Sequence, residues 1–306
     1  MSNITGPMVK ALRDKTGAGM MDCKAALTET KGDMEAAIDW LRKKGLSKAA
    51  KKADRVAAEG LIGIVSSGNV GALVEVNAET DFVARNDEFK TFVKDAADAA
   101  LKAEGDVVKL LSHPAPEGTM KDRLTALVAK IGENMSVRRA VMLAVTEGVV
   151  ASYVHNAASP ELGKIGVLVA MKSSADKAKL TALGKQIAMH VAAAAPLALT
   201  PEHLSKDVVD REKAIQADIA RQSGKPENVI EKMMEGRMRK FYEESVLMSQ
   251  TFVIDGETQI SKVIEKASKD FGAPVAIEGF VRFQVGEGIE KVDSDFADEV
   301  SKMAGN

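Results

Sequence analysis

Apolar residues three and four apart dominate the first 60 positions, a spacing that predicts helices. Thr5 is placed to cap a helix carrying Met8, Val9 and Leu12 on one face, with Gly17 just beyond its end. A second helix is expected from about Met20 to Thr30, burying Met21 or Cys23 with Leu27. A third has signals at both ends: Asp33 as N-cap, Glu35 in the first turn, and Arg42, Lys43 and Lys44 before Gly45. Lys48 to Ala58 then reads as a basic, alanine-rich helical linker.

After Glu59 the period changes. Gly60 to Ser66 and Val70 to Val76 are rich in strand formers, and Ser67-Gly68-Asn69 supplies a turn, so a β-hairpin is expected. Asp87 to Leu101 is amphipathic, with Phe89, Phe92, Val93 and Ala96 on one side. A helix near Lys121 to Ile131 and a strand through Val137, Val141, Leu143 and Val145 follow.

The same order then recurs. Gly148 to His155 reads as a strand and Ile165 to Met171 as its hairpin partner, after a polar loop with Pro160 and Gly163. Lys179 to Ala194 reads as a helix and Ala276 to Val285 as the third strand. "NVGALVEVN" and "KIGVLVAMK" occupy corresponding places, which suggests an internal duplication. The second copy is interrupted by a helical hairpin, Asp207 to Tyr242. Val208, Glu212, Ile215, Ile219 and Gln222 form its outgoing stripe. Gly224 can stop that helix, Pro226 suits the start of the next, and Ile230, Met234, Arg237, Met238 and Phe241 continue on the return. Such a hairpin either projects as a short antiparallel coiled coil or folds back on the core.

Composition narrows the class. Apolar residues make up 45% of 306, enough for a sizeable core. The 42 basic and 44 acidic residues nearly cancel, and aromatics are only 4%, so neither a basic excess nor base-stacking platforms point to nucleic acid. Met1 to Lys10 lacks the basic head and apolar core of a secretory signal, and no apolar run approaches a membrane span. Cys23 is the only cysteine, so an intrachain disulfide is excluded. A soluble, cytoplasmic protein is the expectation, without membrane partner.

Familiar catalytic patterns are missing. There is no G-x-x-x-x-G-K-[ST], no G-x-G-x-x-G opening a helix, no H-E-x-x-H, no paired C-x-x-C and no G-x-S-x-G. His113, His155, His190 and His203 are scattered. Cys23 lies among Met and Ala and reads as a core thiol rather than a nucleophile. No cofactor, metal site or catalytic residue is expected.

Two segments carry a family resemblance: "LRDKTGAGMMDCKAAL" from Leu12 and "VEVNAETDFVARN" from Val74. "KIGENMSVRRA" from Lys130, "IAMHVAA" from Ile187, "QSGKPENVIEKMMEGRMRKF" from Gln222 and "VGEGIEK" from Val285 follow in order. Over essentially its whole length the chain resembles the elongation factor Ts family. Ala78 stands where many relatives have Cys.

The resemblance implies a non-enzymatic exchange factor that promotes GDP release from elongation factor Tu, binding its GDP-bound and nucleotide-free forms. It implies an α+β fold: an N-terminal three-helix, UBA-like module (1–55), two duplicated α/β core subdomains (56–146 and 147–288), an inserted antiparallel helical hairpin (205–244) and a short C-terminal helical module (289–306). It makes Thr80, Asp81, Phe82 and Val83 the element that disturbs the partner's magnesium. Arg13, Met20, Met21, His155, Phe296 and Met303 become candidate docking residues, and the hairpin a candidate contact with Tu or with a second copy.

These residue types suit that task. A rigid ring at a hairpin–helix junction can act as a wedge, and burying it supplies roughly 1.5–3 kcal/mol. A carboxylate beside it can repel or compete with magnesium's own ligands. Equally, Phe82 can be local core and Asp81 a turn cap, and Met20 or Met21 can belong to the helical bundle. His190, in an alanine-rich helix, reads as a packing residue. Two other readings stay open: an interaction scaffold carrying a UBA-like module, and an enzyme using Glu79, Asp81 and His155.

Overall fold

The computed structural model describes residues 4–16, 18–116, 118–222 and 226–290. It is a mixed helix-and-sheet protein that divides into two compact units. The first comprises the described residues within Met1–Gly63, Val74–Ala140 and Gln284–Asn306; the second comprises Ile64–Leu73 and Val141–Phe283.

In the first unit, helices α1 (Gly6–Thr16), α2 (Met20–Glu29) and α3 (Met34–Ala50) close around Val9, Leu12, Cys23, Ala26, Leu27 and Ala37. Asp33 caps α3 as its sequence suggests, its carboxylate accepting the Ala36 N–H at 3.0 Å. Gly45 does not end this helix. It is buried mid-helix, and a Cβ built on it would sit 3.6 Å from that of Ala129, an ordinary contact. The expected helical linker from Lys48 to Ala58 is likewise corrected: helix ends at Ala50 and a run of turns follows.

Strands β1 (Glu59–Ser67) and β2 (Val70–Ala78) form the expected hairpin, whose turn is Gly68-Asn69 with Gly68 at φ +61°. A five-residue helix, α4 (Asp81–Arg85), precedes α5 (Asp87–Lys102). Helix α5 buries Phe89, Phe92, Val93 and Ala96, and the Val93 carbonyl lies so close to Gly63 that a Cβ there would meet it at 2.8 Å. Helix α6 (Val107–Ser112), the two-residue strands β3 (Pro114–Ala115) and β4 (Gly118–Thr119), and α7 (Met120–Ile131) lead to β5 (Met135–Ala144), which pairs with β2.

In the second unit, β6 (Gly148–Ser159) and β7 (Leu162–Lys172) are antiparallel, in register from Gly148↔Lys172 to His155↔Ile165. Both run further than the residue pattern suggests. His155 does not end its strand, and Gly163 pairs with Ala157 instead of lying in a loop. A positive φ at Asn156 and a register shift between Ala157 and Ser159 interrupt the alternation there. Helix α8 (Lys177–Ala194) covers Val149, Val167, Val169 and Met171 with Leu180, Leu183, Ile187 and Val191.

The inserted hairpin is α9 (Lys206–Arg221) and α10 (Glu227–Ser245), with Pro226 at the N-cap of α10. Its base rests on Ala198, Leu204 and Val246 through Val209, Phe241 and Tyr242. The return stripe faces inward as expected, with Ile230 and Met238 buried. The outgoing stripe does not: Val208, Ile215 and Ile219 are exposed. A polar seam and a small residue occupy the contact instead. Arg237 donates to Gln216 and Gln216 to Glu212, both at 2.7 Å, and Ala220 is fully buried. Helix α11 (Ile260–Phe271) then buries Ile260, Ile264 and Ala267, and β8 (Ala276–Gln284) pairs with β7. In each half, the third strand therefore joins the second strand of the preceding hairpin. Among the described residues no helix is long and apolar enough to cross a membrane.

Candidate partner-binding site

Strand β2 ends at Ala78, and the chain turns through Glu79 and Thr80 into α4. A helix this short has no stability of its own. Val83 and Ala84 anchor it by burial, and the Asn86 N–H closes its end on the Val83 carbonyl at 2.9 Å. Asn86 then caps α5, its side chain accepting the N–H groups of Glu88 and Phe89.

With Val83 turned inward, Phe82 must turn outward. It is 74% exposed, so it is not local core. Asp81, in the first turn, is no cap for α4 either; the N-cap is Thr80, and its hydroxyl goes elsewhere. The Asp81 carboxylate accepts from Arg85 at 2.9 Å, and the Arg85 guanidinium lies 6.0 Å from the Phe82 ring centroid. Exposed pairs spaced i,i+4 are worth only about 0.3–0.5 kcal/mol, so Asp81 is easily released to another cation. The four residues of the motif thus form one small projection, with an aromatic ring and a carboxylate outside and Val83 as its root.

The base of this projection is clasped. Glu133 accepts both the Thr80 N–H at 3.0 Å and the Thr80 hydroxyl at 2.8 Å. In return Glu79 accepts the Asn134 N–H, and Arg55 lies 3.5 Å from the same carboxylate. Asn134 also donates to the Arg55 carbonyl at 2.7 Å. These partners lie some 50 to 80 residues apart, so no local signal announced them. Glu79 and Asp81 are engaged by different cations and do not form a paired-carboxylate centre.

Arg13, on α1, is exposed. Met20 and Met21 both face outward, at 49% and 77% exposure, because Cys23, Ala26 and Leu27 fill the inner face of α2. Neither methionine is bundle core. Asp22, which follows them, is tied to Lys48 at 2.8 Å and Lys44 at 3.0 Å, which hold its carboxyl below the usual range. Cys23 is buried, and burial pushes its thiol upward, as befits a core residue. His155 is exposed in the second unit, its Nδ1 3.2 Å from the Tyr153 hydroxyl. Phe296 and Met303 lie outside the described residues.

The family described as Elongation factor TS matches residues 79–287, from the base of the Phe82 projection to just beyond β8. Similar proteins extend the match to both ends. The chain is 60% identical over 307 residues to elongation factor Ts of Rhodospirillum centenum, covering 100% of each. It is 61% identical over 304 residues to that of Rhodospirillum rubrum, covering 98% of each, and 58% identical to that of Parvibaculum lavamentivorans, covering 99% of each. This chain belongs to the elongation factor Ts family.

Proposed function

We propose that the protein binds elongation factor Tu in its GDP-bound state and promotes GDP release by disturbing the magnesium and phosphate site. The observation that carries this reading is the exposed Phe82 beside Asp81 on a turn rooted by Val83 and clasped by Glu133. A ring that buries itself in the partner gains roughly 1.5–3 kcal/mol only in the conformation with a cavity to receive it. It therefore stabilises that conformation at the expense of the one that grips nucleotide. Asp81, released from Arg85, competes with the carboxylate and water ligands that magnesium needs.

Arg13, Met20 and Met21 dock the N-terminal helical region. Flexible thioethers suit an adaptable contact, and the exposed Arg13 can meet a carboxylate. His155 supplies a contact from the second unit, and residues from 289 onward, with Phe296 and Met303, a further one. We keep 1–55, 56–146, 147–288 and 289–306 as functional divisions, with the hairpin at 205–244 contacting Tu or a second copy. No bond is made or broken in this scheme, which belongs in the cytoplasm where Tu works.

Linkage makes the test direct. If the protein weakens GDP binding to Tu, GDP weakens its binding by the same factor. Size-exclusion chromatography of the protein with nucleotide-free Tu is expected to give a stable complex that dissociates when GDP and magnesium are added. A complex indifferent to nucleotide, or none at all, would refute the proposal.

A further inference from the structure

We propose that Glu133 is a positioning residue for the Phe82 projection, a role that rests on the exchange reading above. Helix α4 is too short to hold its own direction, and its N-cap, Thr80, makes no side-chain capping bond. Both polar groups that would normally steer such a turn, the Thr80 N–H and hydroxyl, are taken by one carboxylate, Glu133. Two bonds from one rigid planar group fix Thr80 near φ −124°, ψ 159°, and so fix where the next residues point. A charged acceptor makes each bond stronger than a neutral one would.

The clasp is reciprocal. Glu79 and Thr80 on one side face Glu133 and Asn134 on the other, each side giving a carboxylate and receiving a backbone N–H. The Gly132–Asn134 turn is itself held: Lys52 donates to the Gly132 carbonyl, and Asn134 donates to the carbonyls of Ala53 and Arg55. The anchor is thus braced by a third segment of chain and can act as a fixed point. Glu133 need not touch the partner. Its effect on exchange passes through the direction of Phe82.

The experiment is a double-mutant cycle on GDP release. Release of fluorescent GDP from elongation factor Tu is followed by stopped flow over a range of factor concentrations, giving a maximal rate and a half-saturating concentration. Glu133→Ala is expected to lower the maximal rate about tenfold, the scale of a single bond to a charged acceptor. The half-saturating concentration should move less, since the other docking residues are untouched. Glu133→Gln, which can accept the N–H and donate to the hydroxyl, should restore most of the rate. On a Phe82→Ala background, Glu133→Ala should cost under about twofold, because residues acting as a unit are not additive.

A full rate for Glu133→Ala, or the same penalty with and without Phe82, would overturn the assignment. Thermal unfolding monitors the fold, and if Glu133→Ala fails to fold, Thr80→Val completes the same cycle. Should Phe82→Ala alone release GDP as fast as the unaltered protein, the exchange reading itself fails. A Phe82→Ala defect with a harmless Glu133→Ala removes only the positioning role.

Discussion

Glu75 and Arg139 meet at 2.6 Å, Oε2 to Nε, and the glutamate side chain has no exposed surface. Arg138 reaches the other oxygen at 3.2 Å, and the Gly286 N–H donates to it at 2.8 Å. Both arginines also hold the chain where it leaves β8: Arg139 donates to the Gln284 carbonyl and Arg138 to that of Glu287. One buried carboxylate therefore orients two cations that pin the start of the C-terminal segment.

Removing that carboxylate takes from both arginines the buried anion they share. Glu75→Gln is expected to cost about 3 kcal/mol, the low end for a broken buried pair because both arginines retain some solvent. Glu287→Ala, which removes an exposed partner of Arg139, should cost under about 1 kcal/mol. Urea unfolding of the two variants checks the contrast; equal losses would show that burial of Glu75 is not what matters.

Gly45 yields a prediction of the opposite sign. It lies inside α3, and a Cβ would make ordinary contact with Ala129. Gly45→Ala should therefore stabilise the protein by about 0.5–1 kcal/mol through backbone entropy, seen as a raised thermal midpoint. A lowered midpoint would mean that the space beside α7 cannot take a methyl group.

His190 sets a pH dependence. It is fully buried; its Nδ1 accepts the Val253 N–H at 3.2 Å, which leaves Nε2–H to donate to Gln250 at 2.8 Å. Burial pushes its pKa below the ordinary 6.5. The unfolded chain then binds a proton more readily than the folded one. Stability is complete above about pH 6.5 and is lost as pH falls toward the folded pKa, by at most about 1.4 kcal/mol per pH unit. The carboxyls of Asp22 and Asp122 are lowered from 3.8 and contribute only in more acidic solution. Urea unfolding at pH 7.5 and pH 5.5 measures the loss, and His190→Gln should shrink it.

The elements built on strong local periodicity were legible in the residue pattern: the three N-terminal helices, both β-hairpins, α5, α8 and the helical insertion. Boundaries differ where a glycine lies inside an element instead of ending it. Gly45 faces Ala129 mid-helix, and Gly163 sits in a paired strand. The outgoing stripe of α9 misled because apolar spacing alone does not say which face a partner helix takes; Gln216 and Ala220 took it. Helix α11 carries a full helical signal in Ile260, Ile264, Ala267 and Phe271, followed by Gly272 in the left-handed region, and lies outside the elements expected above. The projection at Thr80–Val83 was readable as a motif through family resemblance. Its clasp was not, because Glu133 and Asn134 join it only through long-range hydrogen bonds.

The account turns on the exposed ring. Stopped-flow release of fluorescent GDP from elongation factor Tu, at saturating protein, compares the intact chain with Phe82→Ala. The intact protein should accelerate release strongly, and Phe82→Ala, whose lost burial is worth roughly 1.5–3 kcal/mol, should be slower by about ten- to a hundredfold with its fold unchanged. Equal rates for the two proteins would contradict the claim that Phe82 drives the loss of nucleotide.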